Sequence, residues 1–158
     1  MNITDIPAAQ KPALSMLIED HRKVAKLVKD YQSEKSQSKQ KEIVEEIGLA
    51  LLAHTEIEEK LFYPWLREKD ADTFADMLDE ALVEHTAIKD IVKDLRQMEP
   101  GDELYDGKVT VVSEFVEHHV KEEEDEMFNE VIKRKVDLNG LDEQMKTMKE
   151  DFIAKHAQ

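Results

Sequence analysis

The 158-residue chain contains no cysteine. Disulfides, iron–sulfur clusters, thiolate zinc sites and cysteine nucleophiles are thereby excluded, and any metal has to be held by nitrogen and oxygen. No run approaches the ~20 apolar residues of a membrane-spanning helix. The opening "MNITDIPAAQKPALSMLIEDH" has neither the basic start nor the apolar stretch of a signal peptide. A cytoplasmic location without a membrane partner is the expectation. Glycine and proline are scarce, four of each, and β-branched runs are short, so a helical bundle is the predicted fold class. Basic residues are outnumbered 22 to 37, leaving a formal charge of −15. That charge opposes nucleic acid and anionic membranes and is compatible with cations.

Four long helices and one short one follow from the periodicity and its breakers. The first is predicted from about Pro12 to Tyr31, and the second from about Lys39 to Phe62, stopped or kinked by Pro64. The third follows "KDADT", with Thr73 as N-cap, and runs to about Met98. "EPGD" and "LYDG" form the next loop, and the fourth helix runs from about Lys108 to Lys135. A last helix starts at Leu141, where Leu141, Met145, Met148 and Phe152 make a stripe read as a packing face. Long helices joined by short loops predict an all-α, antiparallel up-down four-helix bundle with a short C-terminal helix. One domain is expected over 1–158, with the bundle at about 12–135 and the last helix at about 141–155.

A weak internal repeat pairs the helices. "IEDHRKVAKLVKD" from Ile18 lies over "LVEHTAIKDIVKD" from Leu82, and "HTEIEEKLFY" from His54 over "HVKEEEDEMF" from His119, at offsets of 64 and 65 residues. The histidines keep register in both. His21 has Ile18, Val24 and Val28 at i−3, i+3 and i+7, His54 has Leu51, Ile57 and Leu61, and His85 has Leu82, Ile88 and Val92. Each therefore sits on an apolar helix face. On the fourth helix His119 continues the Val112–Val116 seam and has Glu123 at i+4, while His118 follows Val111 and Phe115 and has Glu122 at i+4. Seam and repeat select His119 and Glu123, with His118 and Glu122 as the alternative.

Four inward histidines, two of them with a carboxylate one turn on (Glu58 after His54), are hard to explain by packing, because a buried carboxylate is costly. Imidazole and carboxylate suit iron, manganese or zinc rather than calcium, and a glutamate can bridge two ions. Ferritin-like sites need glutamate three residues before histidine; the six residues at that spacing are Ile18, Leu51, Leu82, Phe115, Val116 and Ile153, none acidic. HExxH spacing is absent too. His156 reads as a surface residue, Tyr63 and Trp65 as core or rim, and "KEEEDE" apart from Glu123 as a solvated acidic face.

The ordered set "EDH", "HTEIEEKLFYP", "EH" and "HHVKEEEDEMF", spanning about Ile18 to Phe128, resembles the hemerythrin-like, or HHE cation-binding, family. The resemblance implies a non-haem di-iron centre, oxo- or hydroxo-bridged, with His21, His54, His85 and His119 as ligands and Glu58 and Glu123 as bridges. It implies a small partner, dioxygen, hydrogen peroxide or nitric oxide, bound or consumed in a peroxidase-like, catalase-like or nitric-oxide-handling reaction linked to oxidative stress. A non-catalytic oxygen or iron sensor, carrier or store is the alternative, and a zinc- or manganese-stabilised bundle the third reading. No surface for a protein partner is identifiable, and a monomer or weak dimer is expected.

Two positions depart from the family. Oxygen-carrying hemerythrins have a further histidine one turn after the third-helix histidine, where Lys89 stands here; Asn129 stands where proline is frequent. The iron-centre repair relatives carry a cysteine-bearing N-terminal extension, and the sequence has no cysteine, so that role is not expected. Without a fifth histidine, roughly two of about twelve coordination positions stay open instead of one. Such a centre favours a ligand bridging both metals over terminal, reversible dioxygen binding.

Overall fold

The computed structural model describes residues 1–156, and the apolar periodicity is realised there as six helices. These are α1 (Lys11–Ser33), α2 (Gln37–Ile57), α3 (Tyr63–Arg96), α4 (Tyr105–Glu122), α5 (Phe128–Lys133) and α6 (Leu141–His156). Single wide π-turns, Glu58–Phe62 and Glu123–Met127, carry α2 into α3 and α4 into α5 without a loop. The bundle's second rod thus runs through Pro64, and the fourth reaches Lys133. The first part of α3 belongs to the second rod. The chain turns back at Asp70, the one residue inside α3 with non-helical dihedrals.

Three local expectations need correction. Pro64 does not end the helix, because it lies in the first turn after the π-turn, where its missing N–H has no partner to lose. The N-cap after the reversal is Asp70, not Thr73: its carboxylate accepts the Thr73 amide at 3.2 Å and the Thr73 hydroxyl at 2.7 Å. Tyr105, Asp106 and Gly107 open α4 and are not loop. Burial of Tyr105, only 1% exposed, draws this turn onto the core right after Leu104, which takes a left-handed φ of 72°.

Two apolar cores lie one on each side of a polar layer. One, containing Leu14, Ile18, Ile57, Phe62, Phe74 and Phe128, is sealed by Leu141 and Met145 of α6. The other contains Val24, Leu51, Ile88, Val92, Val112 and Val116. α6 packs against α1 and α2, and of the neighbouring rods α1 and α4 touch least. No described helix is long and apolar enough to cross a membrane.

Candidate metal centre

The layer between the cores gathers His21 from α1, His54 from α2, His85 from α3 and His119 from α4, with Glu58 and Glu123 at the two π-turns. All six are buried; Glu58 is 0% and Glu123 2% exposed. His118 is on the outer face, its side chain 65% exposed, 3.1 Å from Glu122. His118 and Glu122 therefore lie outside the layer. His156 is exposed and stacks on Phe152.

The six residues form two overlapping groups: His21, His54, Glu58 and Glu123, and His85, His119, Glu58 and Glu123. In each, the donor atoms lie within 4.8 Å of one another. The Nε2 atoms of His21 and His54 are 3.2 Å apart, as are those of His85 and His119. Glu58 Oε1 is 3.1 Å from Nε2 of both His54 and His85. Glu123 spans the groups, with Oε1 3.2 Å from His21 Nε2 and Oε2 3.3 Å from His119 Nε2.

Despite these distances, both Glu58 oxygens and Glu123 Oε1 have no hydrogen bond of normal geometry among the described residues. Buried oxygens are rarely left so. Two donors at right angles on one first-row metal, each roughly 2.1 Å away, stand about 3.0 Å apart. The observed spacings fit that arrangement better than hydrogen bonds.

An outer layer fixes the rings. Carboxylates only accept, so each histidine Nδ1–H is a donor. His54 donates to Asp20 at 3.0 Å, His85 to Glu59 at 2.9 Å, His119 to Glu84 at 2.8 Å and His21 to Glu124 at 2.7 Å. With Nδ1 committed, every Nε2 faces the centre, the usual way a metal-binding imidazole is oriented. These four carboxylates were not singled out in the sequence. Their signal was an acidic residue directly before His21 and His85 and directly after Glu58 and Glu123. Glu124 thus corrects the reading of "KEEEDE" as solvated. The π-turns place Glu59 and Glu124, each next to an inward carboxylate, against the neighbouring rod.

The outer carboxylates meet basic groups in turn. Asp20 pairs with Lys149, Glu59 with Lys89 at 3.0 Å, and Glu124 with the Met1 α-amino group at 3.0 Å; Glu84 lies 3.6 Å from His118. Lys89 therefore holds Glu59 at the rim and does not enter the centre. The phenol of Tyr63 does: its hydroxyl donates to Glu123 Oε2 at 2.6 Å and lies 3.3 Å from His85 Nε2. Its counterpart in the repeat is Phe128, whose ring lies parallel to His21. The pseudo-symmetric halves thus differ in polarity.

Charge explains the metal-free protonation. Burial works against a charged His54 ring, but Glu58 and Asp20 outweigh it and raise its pKa to about 10. His119 is likewise opposed by burial and raised to about 12 by Glu123, Glu58 and Glu84. Burial also opposes ionisation of Glu58, yet the charge of His54 holds its carboxyl well below the usual range. The Tyr63 phenol is pushed well above its ordinary value by burial first and then by Glu123 and Glu58, so it keeps its proton.

Beside the layer lies a cavity of about 20 Å³ lined by the four histidines with Val24, Leu51, Ile88, Val116 and Val120. That is room for one water-sized group. A groove of about 730 Å³ along the α1–α4 seam shares His21, Val24, Val116 and Val120 with it.

No curated protein matches the sequence. Among solved structures, one of a hemerythrin HHE cation binding domain-containing protein from Mycobacterium kansasii is similar in fold. It is 21% identical, with a TM-score of 0.75, over 90% of this chain and 88% of that one. The hemerythrin HHE cation binding domain matches residues 13–131 of the sequence, which includes all six inward residues. The chain belongs to the hemerythrin HHE cation-binding family.

Proposed function

We propose that the centre holds two iron ions, one between His21 and His54 and one between His85 and His119, with Glu58 and Glu123 shared. The observation that carries this reading is the pair of four-donor groups with two carboxylates in common. Bound iron supplies redox chemistry toward dioxygen, hydrogen peroxide or nitric oxide. The protein supplies the rest: a cavity too small for an organic substrate, rings oriented by outer carboxylates, and one proton donor. Tyr63 holds that proton on its hydroxyl beside Glu123 and His85, where it can pass to a small ligand seated in the His85–His119 half. A buried phenol aimed at the centre favours a peroxide-consuming reaction over carriage. The test is anaerobic mixing of the di-ferrous protein with oxygen, followed by a peroxide-decay assay. Irreversible oxidation with peroxide turnover is expected; a long-lived adduct that releases oxygen under vacuum, without turnover, assigns the protein as a carrier.

Tyr63→Phe removes the hydroxyl and little volume. Iron content is expected to stay at two per chain while peroxide consumption slows about 100-fold, the scale of a lost general acid. Unchanged turnover would return Tyr63 to a packing role. His119→Ala is expected to empty the His85–His119 half, whereas His118→Ala retains two irons, because its ring is on the outer face. Equal losses, read by metal analysis of both variants, would contradict the assignment.

A further inference from the structure

We propose that Lys149 of α6 is a positioning residue for the metal centre, acting through Asp20 on His54. The inference rests on the metal reading above. Asp20 commits one oxygen to each neighbour: Oδ2 accepts from His54 Nδ1 at 3.0 Å, and Oδ1 accepts from Lys149 Nζ. Asp20 is nearly buried, and Lys149 reaches it from a helix that lies wholly beyond the family match, residues 13–131.

The internal repeat shows why a separate helix is needed. At an offset of 64 residues Asp20 corresponds to Glu84, which orients His119 as Asp20 orients His54. Glu84 has His118 nearby on α4. At the offset of 65 residues His118 corresponds to Ala53, which offers no polar side chain and is buried. The α1–α2 side therefore lacks a basic side chain of its own at this place, and α6, packed on α1 and α2, brings one. Leu141 and Met145 anchor the helix in the core, and Lys149 lies one turn beyond Met145 on the same face. An orienting carboxylate with both oxygens engaged holds its imidazole in one rotamer and tautomer. Without Lys149 the second oxygen is free and the carboxylate can turn away from His54.

Only one half of the centre depends on this chain of contacts. His85 is oriented by Glu59, which Lys89 holds. Removing Lys149 therefore weakens the His21–His54 half selectively. A helix that served only as a cover would, on removal of its contacts, loosen both halves together.

The test is anaerobic release of ferrous iron to a chromogenic chelator from the wild-type protein and from Lys149→Gln, Lys149→Arg, Met145→Ala and Lys89→Gln. Wild-type protein is loaded first and its two equivalents counted. In Lys149→Gln one equivalent is expected to leave roughly 10–100-fold faster, the usual effect of losing an outer partner, and the other at the wild-type rate. Lys149→Arg is expected to restore slow release. Lys89→Gln is expected to accelerate one equivalent as well, and the double variant with Lys149→Gln both. Thermal melting of each metal-free variant checks folding. Release unchanged in Lys149→Gln, or both equivalents accelerated together as in Met145→Ala, overturns the positioning role while leaving the di-iron reading in place. A wild-type chain that takes up no iron overturns that reading, and the role of Lys149 with it.

Discussion

Glu58→Gln is expected to lower metal affinity more than about 100-fold at both positions, well beyond the effect of losing an outer partner. The amide keeps the volume and removes the charge. Glu58 belongs to both donor groups, and its Oε1 stands 3.1 Å from a histidine of each half. Two divalent ions would then be buried with one compensating carboxylate, and desolvation of an unbalanced charge costs several kcal/mol. His21→Ala provides the contrast. It removes one ligand from one group, so the His85–His119 half is expected to keep its ion. Titration of both variants with ferrous iron, read by chelator competition, separates the two outcomes. One tightly bound ion remaining in Glu58→Gln would show that Glu58 is not shared.

Metal uptake by the metal-free chain at pH 7 is expected to release at least two protons, His21 also being raised, against its burial, by Glu123 and Glu124. Two come from His54, raised to about 10, and His119, raised to about 12. Each is charged at neutral pH and must surrender its Nε2 proton before that nitrogen can ligate. Affinity therefore rises with pH, by up to roughly 100-fold per unit where two protons are displaced. The same shifts set the stability of the metal-free protein. Raised histidines stabilise the fold fully below their unfolded value of 6.5, and this contribution is lost as pH climbs from 6.5 toward 10. The lowered Glu58 stabilises above its ordinary 4.5, and that contribution is lost as pH falls. Metal-free protein is expected to melt highest between these values and lower at pH 9. Metal-loaded protein is expected to lose less, because the ions replace the protons. Melting curves at pH 5.5, 7 and 9, with a pH-stat count of protons released on loading, check both statements. A metal-free protein that grows more stable between pH 6.5 and 9 would contradict them.

The bundle was legible because apolar spacing is a property of one helix at a time. His21, His54 and His85 stood out because each interrupts such a stripe, and the Val112–Val116 seam with the 65-residue repeat picked out His119 over His118. The π-turns were not legible. Nothing in "EEKLF" or "EEDEM" distinguishes one extra residue per turn from an ordinary helix, and the choice follows from where the two carboxylates must point. This is also why Pro64 misled: its local preference for a helix start is met inside a continuous rod. The outer carboxylates escaped notice because each contact crosses from one helix to another. With 37 acidic residues in the chain, an acidic neighbour of a histidine is unremarkable until the partner helix is placed. Lys89 stands one turn after His85, and its long side chain reaches the rim, where it pairs with Glu59. Tyr63 was read as core or rim; it is in the core, but its hydroxyl reaches Glu123.

The most direct test of the central claim is a metal count on protein purified under iron-replete conditions, by mass spectrometry, alongside its optical spectrum. The account predicts two irons per chain with the near-ultraviolet absorption of an oxygen-bridged pair. Stoichiometric zinc without that absorption, or a single ion per chain, would contradict it.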